Sequence, residues 1–155
     1  MLTSAYLTEK QLTIWDLNRL GYKQADIGRR IEATRQAAYD ALKISLEKVD
    51  SALRHAADAN MVEIKYVDPK NGILLGVVPQ DSSQVILTFS KRHGIQTWHY
   101  EEPKCQNCKW VKRCADRLMD EAEERGVRIT EEEKRLPPAK LARTIFSEII
   151  PGLKP

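Results

Sequence analysis

The hydrophobic period of this chain changes at Met61, and that switch limits its possible folds more than any other feature. The stretch before it contains no proline, and its apolar residues recur every three or four positions. Beyond it they alternate, as in strands that bury one face. Helices followed by strands point to an α+β protein with an antiparallel sheet rather than to alternating βαβ units. The expected division is therefore a helical domain over 1–60 and a second domain over 61–155 that carries the sheet, a metal-binding segment and further helices.

Within the first zone, Thr8 precedes Glu9-Lys10-Gln11, a capping-box pattern, and Leu7, Ile14, Leu17 and Leu20 are expected to face a core. Gly21 ends this helix. A short second helix follows from Lys23 to Ile31, with Ala25, Ile27 and Ile31 inward. Thr34 caps a third helix expected to run from Arg35 to Asn60. Its stripe of Leu42, Leu46, Val49 and Leu53 extends beyond the needs of three helices. This predicts a partner surface, and with it a homodimer.

After Met61, Val62, Ile64 and Tyr66 alternate with Glu63 and Lys65. The segment Asp68-Pro69-Lys70-Asn71-Gly72 is turn chemistry. Three more strands are expected over 73–78, 85–89 and 95–101, with Trp98 and Tyr100 on one face and His99 on the other. A helix then runs from Ala115 to Arg125, and Pro137-Pro138 opens a last one over 139–150. Leu141, Ile145, Phe146 and Ile149 on that helix either close the core or bind a partner such as the transcription machinery.

Net charge is only +3, so its distribution matters more than its sum. Residues 1–60 carry nine Lys/Arg against eight Asp/Glu, whereas residues 91–117 carry seven against three. The basic excess surrounds Cys105, Cys108 and Cys114, spaced C-x2-C-x5-C. Three cysteines so close together make a poor disulfide framework and a good set of metal ligands. Lys104, Lys109, Lys112 and Arg113 are expected to favour their thiolate forms. Zinc wants a fourth ligand, for which His99 is the natural choice, His93 the reserve and Asp116 a poor third. An iron–sulfur cluster fits the same thiolates. No run of eighteen apolar residues and no leader-like N-terminus stand in the sequence, so a cytoplasmic location and no membrane association are expected.

The pattern Leu7-Thr8-x-x-Gln11, Leu17-x-x-Leu20-Gly21, Gln24-x-x-Ile27-Gly28-x-x-Ile31 and Thr34-Arg35-Gln36-Ala37-Ala38-Tyr39-x-x-Leu42 resembles the helix-turn-helix of the fourth region of bacterial sigma factors and of LuxR-type regulators. It is most similar to archaeal Tfx-like regulators, and its Arg-Gln-Ala-x-Tyr run is also similar to the YlxM-like family. The resemblance covers about residues 6–55 and implies binding to double-stranded DNA. On that reading the start of the third helix enters the major groove. Arg35 and Gln36 then meet base edges, with Thr34 and Tyr39 beside them. Lys43, Lys23, Arg29 and Arg30 become phosphate contacts.

Pro103-x-Cys105-x2-Cys108-Lys109-Trp110-x3-Cys114 is similar to the iron–sulfur segment of RecB-type nucleases. That likeness implies a cluster, such as a 4Fe-4S one, although the family's fourth, upstream cysteine has no counterpart here and zinc stays in play. Glu63-Ile64-Lys65 matches the E-x-K pair of the same nucleases. The partner carboxylates it would need, Asp50 or Asp58, sit on a predicted helix, so the reading is a non-enzymatic regulator that senses redox state or metal.

Overall fold

A computed structural model describes residues 7–99 and 105–154. Among these the chain is α+β, with five helices and a four-stranded antiparallel sheet. Helices α1 (Glu9–Arg19), α2 (Gln24–Arg30) and α3 (Arg35–Ala59) come first. Strands β1 (Glu63–Asp68), β2 (Ile73–Val78), β3 (Ser83–Ser90) and β4 (Gly94–His99) form a simple meander in that order. Helices α4 (Val111–Glu124) and α5 (Pro138–Ile149) close the chain. No helix among the described residues is long and apolar enough to cross a membrane.

Local chemistry sets the first boundaries. Gln11 N–H donates to Thr8 Oγ1 at 3.2 Å while Thr8 N–H donates to Gln11 Oε1 at 3.0 Å, which completes the capping box. Gly21 follows α1 with φ +97°, the left-handed value a helix-ending glycine supplies. The inward face of α1 differs from the expected one. Trp15 is fully buried, whereas Leu20 is 57% exposed. Trp15 reaches the sheet, donating from Nε1 to the Pro69 carbonyl at 2.9 Å and meeting Phe89 edge-on at 5.0 Å. Beneath it Gly72 has φ +67°, and a Cβ there would stand 2.3 Å from the Phe89 carbonyl oxygen. Ala25, expected inward on α2, is exposed, whereas Ile27 is buried as expected and Gly28 is buried with it.

Both faces of the sheet are covered. One face, with Leu74, Val85, Leu87 and Phe89, packs against Trp15 of α1 and Val49, Leu53 and Ala57 of α3. The other, with Ile73, Ile86 and Trp98, packs against Leu118 of α4 and Leu141, Ile145 and Phe146 of α5. Two-sided cover explains why β2 and β3 read as near-continuous apolar runs.

This arrangement corrects two expectations. The α3 stripe does not await a partner, because Val49 and Leu53 are buried against the sheet and Leu42 against α1 and α2. The homodimer thus loses the surface on which it rested. Likewise Leu141, Ile145 and Phe146 of α5 are buried in the core and Ile149 packs against it, so they offer no face to the transcription machinery. The expected domain boundary at residue 60 falls between α3 and β1, and one core spans it.

The C-terminal end of α4 is fixed by a buried ion pair. Arg125 donates from Nη1 to Glu121, and from Nη2 to the carbonyls of Asn71, Gly72 and Phe89 at 3.3, 3.3 and 3.1 Å. Burial pushes the Glu121 carboxyl up while Arg125 pulls it down. Arg19 of α1 donates to the Glu124 carbonyl, tying α1 to the same end of α4. The opposite end of α4 therefore stands at a set place beside β4.

Candidate functional site

Two sets of residues remain after the core is accounted for. The first surrounds the start of α3. Ile14, Ile27, Ala38 and Leu42 form a small core of their own, shared by α1, α2 and α3. Between α2 and α3 the chain turns within Ile31–Thr34, with Glu32 at φ +57°. Gly28 permits that closeness, since a Cβ there would lie 2.8 Å from the Ala33 carbonyl oxygen and 3.2 Å from that of Thr34. Thr34 Oγ1 accepts from Ala37 N–H at 3.1 Å, as expected of an N-cap.

Arg35, Gln36, Tyr39 and Lys43 are all exposed on α3. Arg35, Gln36 and Tyr39 line a surface hollow together with Gln24 of α2. Asp40 shares this face, and Gln36 Nε2 donates to its Oδ1 at 3.1 Å. Lys23, at the start of α2, is exposed. Arg29 is also exposed and pairs with Asp26. Arg30 lies 4.2 Å from the centre of the Tyr22 ring and donates to its hydroxyl at 3.0 Å. Its guanidinium is thus held by a cation–π contact. The sequence reading missed Gln24, Asp40 and Tyr22, which are polar neighbours one helical turn or one turn-segment from the residues it named.

The second set surrounds the cysteines. Cys105 opens a 3-10 turn, Cys105–Asn107, and Cys108 N–H donates to its carbonyl at 3.2 Å. Helix α4 begins at Val111, earlier than expected, which puts Cys114 in its first turns. Cys105, Cys108, Cys114 and His99 all line one cavity of about 580 Å³, shared with Trp98, Gln96, Arg113 and Arg117. Lys109 and Arg113 stand over the ring of Trp110, at 4.9 and 5.5 Å, and Trp110 and Arg113 line the same cavity. No disulfide joins the three cysteines.

At Cys114 the expected thiolate-favouring environment needs correction. Burial pushes the Cys114 thiol up, Cys108 and Cys105 push it further, and Arg117 and Arg113 only partly offset this. Among the described residues, no group of three or more His, Cys, Asp and Glu side chains is gathered so as to hold a metal ion.

His99 stands apart from the cysteines in one respect. It pairs with Val85 across the sheet, and Val85 belongs to the face covered by α3. Cys114 comes from α4, on the other face. The exposed imidazole can serve a guest shared with Cys114 only around the free edge of β4.

The reserve ligands are elsewhere. His93 Nε2 contacts Asp120 Oδ2 at 2.8 Å, at the far end of β4, and Asp116 is exposed and outside the cavity lining. Tyr100, Pro103 and Lys104 lie outside the described residues.

The nuclease-like pair is a surface contact. Glu63 and Lys65 are exposed on edge strand β1 and bond to each other at 2.6 Å, and Asp50 pairs with Arg54 on α3. The chain matches no protein-family model, no curated protein and no solved structure.

Proposed function

We propose that this protein is a sequence-specific DNA-binding transcriptional regulator whose three cysteines hold an iron–sulfur cluster. The observation that carries the DNA reading is the closure of α2 onto α3 at Gly28. On this reading α2 and α3 are a helix-turn-helix, supported by Arg35 and Gln36 at the start of α3 being exposed. Arg35 is the base-reading cation, able to pair bidentately with guanine. Gln36, held by Asp40, suits an adenine edge once that bond is exchanged. Tyr39 packs beside them, and Thr34 presents its hydroxyl at the helix start. Lys23, Arg29, Arg30 and Lys43 ring this turn as phosphate contacts.

The cluster reading rests on the C-x2-C-x5-C spacing of Cys105, Cys108 and Cys114, all of which line one hollow beside β4 and the start of α4. Cys105, Cys108 and Cys114 would be its thiolate ligands, with His99 at the rim as the non-cysteine ligand. Arg113 and Arg117 offset its negative charge. When bound, such a cluster supplies one-electron redox chemistry. The path from there to DNA affinity runs along α4, whose far end holds Arg19 of α1.

Selection of bound fragments from a randomised DNA pool, followed by anisotropy titration at several salt concentrations, tests this reading. Saturable, salt-dependent binding to a defined sequence is expected. Arg35→Ala should lose about 1–3 kcal/mol and relax preference at one base, while Lys43→Ala should weaken all sequences and reduce the salt slope by about 1. Failure to enrich any sequence would end the DNA reading. For the cysteines, anaerobic protein should be brown and carry iron with labile sulfide, and one zinc per chain would replace the cluster with a structural site.

A further inference from the structure

We infer that the hollow beside β4 binds a small organic acid, with its carboxylate on Arg117 and Gln96 and its apolar body between β4, α4 and α5. This goes beyond the function proposed above and needs neither DNA nor a metal, since no cysteine is assigned to the ligand. The hollow is walled by Trp98 of β4, Leu118 of α4, and Pro138, Ala139 and Ala142 of α5. The α5 side chains are small and leave space that a leucine there would fill. A volume of about 580 Å³ lies within the range of roughly 300–1,000 Å³ for small-molecule sites, which are mostly apolar with a few placed polar groups.

The polar groups on this wall ask for an anion. Arg117 is half-buried, and its carboxylate neighbours on α4 are engaged elsewhere, Asp120 with Arg92 and His93 and Glu121 with Arg125. No carboxylate among the described residues forms a salt bridge with Arg117. Arg113 lines the same hollow one helical turn earlier, so two like charges meet at a spacing where they repel. Both lie in the first turns of α4, where the helix dipole is positive and no acid stands in the first turn. A bound carboxylate would relieve all of this at once, and its two oxygens match the guanidinium fork.

Gln96 supplies an independent sign. It occupies an inward position on β4, between Gly94 and Trp98, and is only 9% exposed. Its carboxamide oxygen accepts from Arg117 Nη1 at 3.4 Å. A guanidinium can only donate, so that contact fixes which end of the amide is nitrogen. That nitrogen, Nε2, has no hydrogen-bond partner among the described residues, although buried donors are nearly always paired. The cross-strand neighbour Thr88 is already engaged, accepting from Trp98 Nε1 at 3.0 Å. Gln96 lines the hollow, so a ligand oxygen beside Arg117 is the acceptor its nitrogen lacks.

Calorimetric titration of the full-length chain with octanoate tests this, with octanol as the neutral probe and inorganic phosphate as the compact anionic one. Octanoate should bind saturably and raise the melting temperature, and neither of the other probes should match it. Arg117→Met should weaken octanoate about tenfold or more, the effect of losing a hydrogen bond to a charged group. The unliganded variant should melt no lower than the wild type, because an unpaired cation beside Arg113 is gone. A merely structural arginine would instead lower the melting temperature. Ala139→Leu should remove binding by filling the apolar end. Gln96→Glu gives Arg117 a carboxylate of the chain's own and sets a like charge against the ligand, so it should abolish binding in a stable chain. It carries the test if the other variants do not fold.

No octanoate binding to the folded wild type would overturn the inference and leave the amide to a trapped water. Octanol binding as tightly as octanoate would overturn it as well, as would an Arg117→Met chain that binds octanoate like the wild type. Phosphate binding in place of octanoate would make the hollow a plain anion site and overturn the apolar acid.

Discussion

The two halves of α3 are one continuous helix with the same apolar spacing, yet they meet different surroundings. The N-terminal half, from Arg35 to about Ile44, buries only Ala38 and Leu42, against the small core it shares with α1 and α2. Arg35, Gln36, Tyr39, Lys43 and Ile44 are exposed on it. The C-terminal half buries Ser45, Val49, Ala52, Leu53 and Ala57, and its apolar side chains lie against the sheet. Ser45 returns its hydroxyl to the Ala41 carbonyl at 2.8 Å, so it adds no unmet polar group. A stripe at helical spacing therefore says that a face is covered, not what covers it. Here the sheet holds the rear of the helix while the front stays exposed.

The sharpest way to separate the halves is to remove one buried side chain from the rear. Leu53 is 0% exposed and sits between helix and sheet. Leu53→Ala should cost about 2–5 kcal/mol, the range for a buried leucine replaced without full collapse of the cavity. Chemical denaturation measures this. At temperatures where the variant is still folded, DNA affinity should stay near that of the wild type. A parallel loss of affinity would mean that the halves are not separable.

Gly28→Ala probes the seam in front of that anchor. The added methyl would meet the Ala33 carbonyl at 2.8 Å, too close for any L side chain without movement of the turn. Backbone has to give there, so about 1–3 kcal/mol of stability should be lost. Affinity should fall as well, because the shift changes the angle at which α3 is presented. An alanine variant that binds DNA as the wild type does would show that this seam does not set the reader's geometry.

Much of this was legible in the sequence because the signals were local. The Thr8 and Thr34 caps, the turn glycines and the period switch at Met61 all act through neighbours within a few residues. The four strands could be read for the same reason. What escaped was long-range. Trp15 turns inward because the β1–β2 turn offers it the Pro69 carbonyl and Phe89, and no helical pattern announces that. The α3 stripe suggested a partner because the sheet that covers it comes later in the chain. Gln96 and Arg117 were missed at the cavity, although a polar residue at an inward position of β4 was a usable signal. The cysteine spacing marked three residues that line one hollow, but the burial that raises Cys114 depends on α4 lying against the sheet.

The smallest expected effect decides what Thr34 does, because that residue is both a helix cap and a candidate DNA contact. Its Oγ1 accepts from Ala37 N–H, and its hydroxyl proton remains to be donated. Thr34→Ala should cost about 1 kcal/mol of stability through loss of the cap. Thr34→Asp keeps a capping oxygen and suits the positive end of the helix, so stability should be retained or slightly raised. The same carboxylate would face a phosphate if α3 enters the groove, and DNA affinity should then fall more in Thr34→Asp than in Thr34→Ala. Thermal melts and anisotropy titrations on the two variants measure these trends. If Thr34→Asp is as stable as the wild type and binds DNA equally well, Thr34 is a cap alone, and the nucleic acid does not approach the first turn of α3.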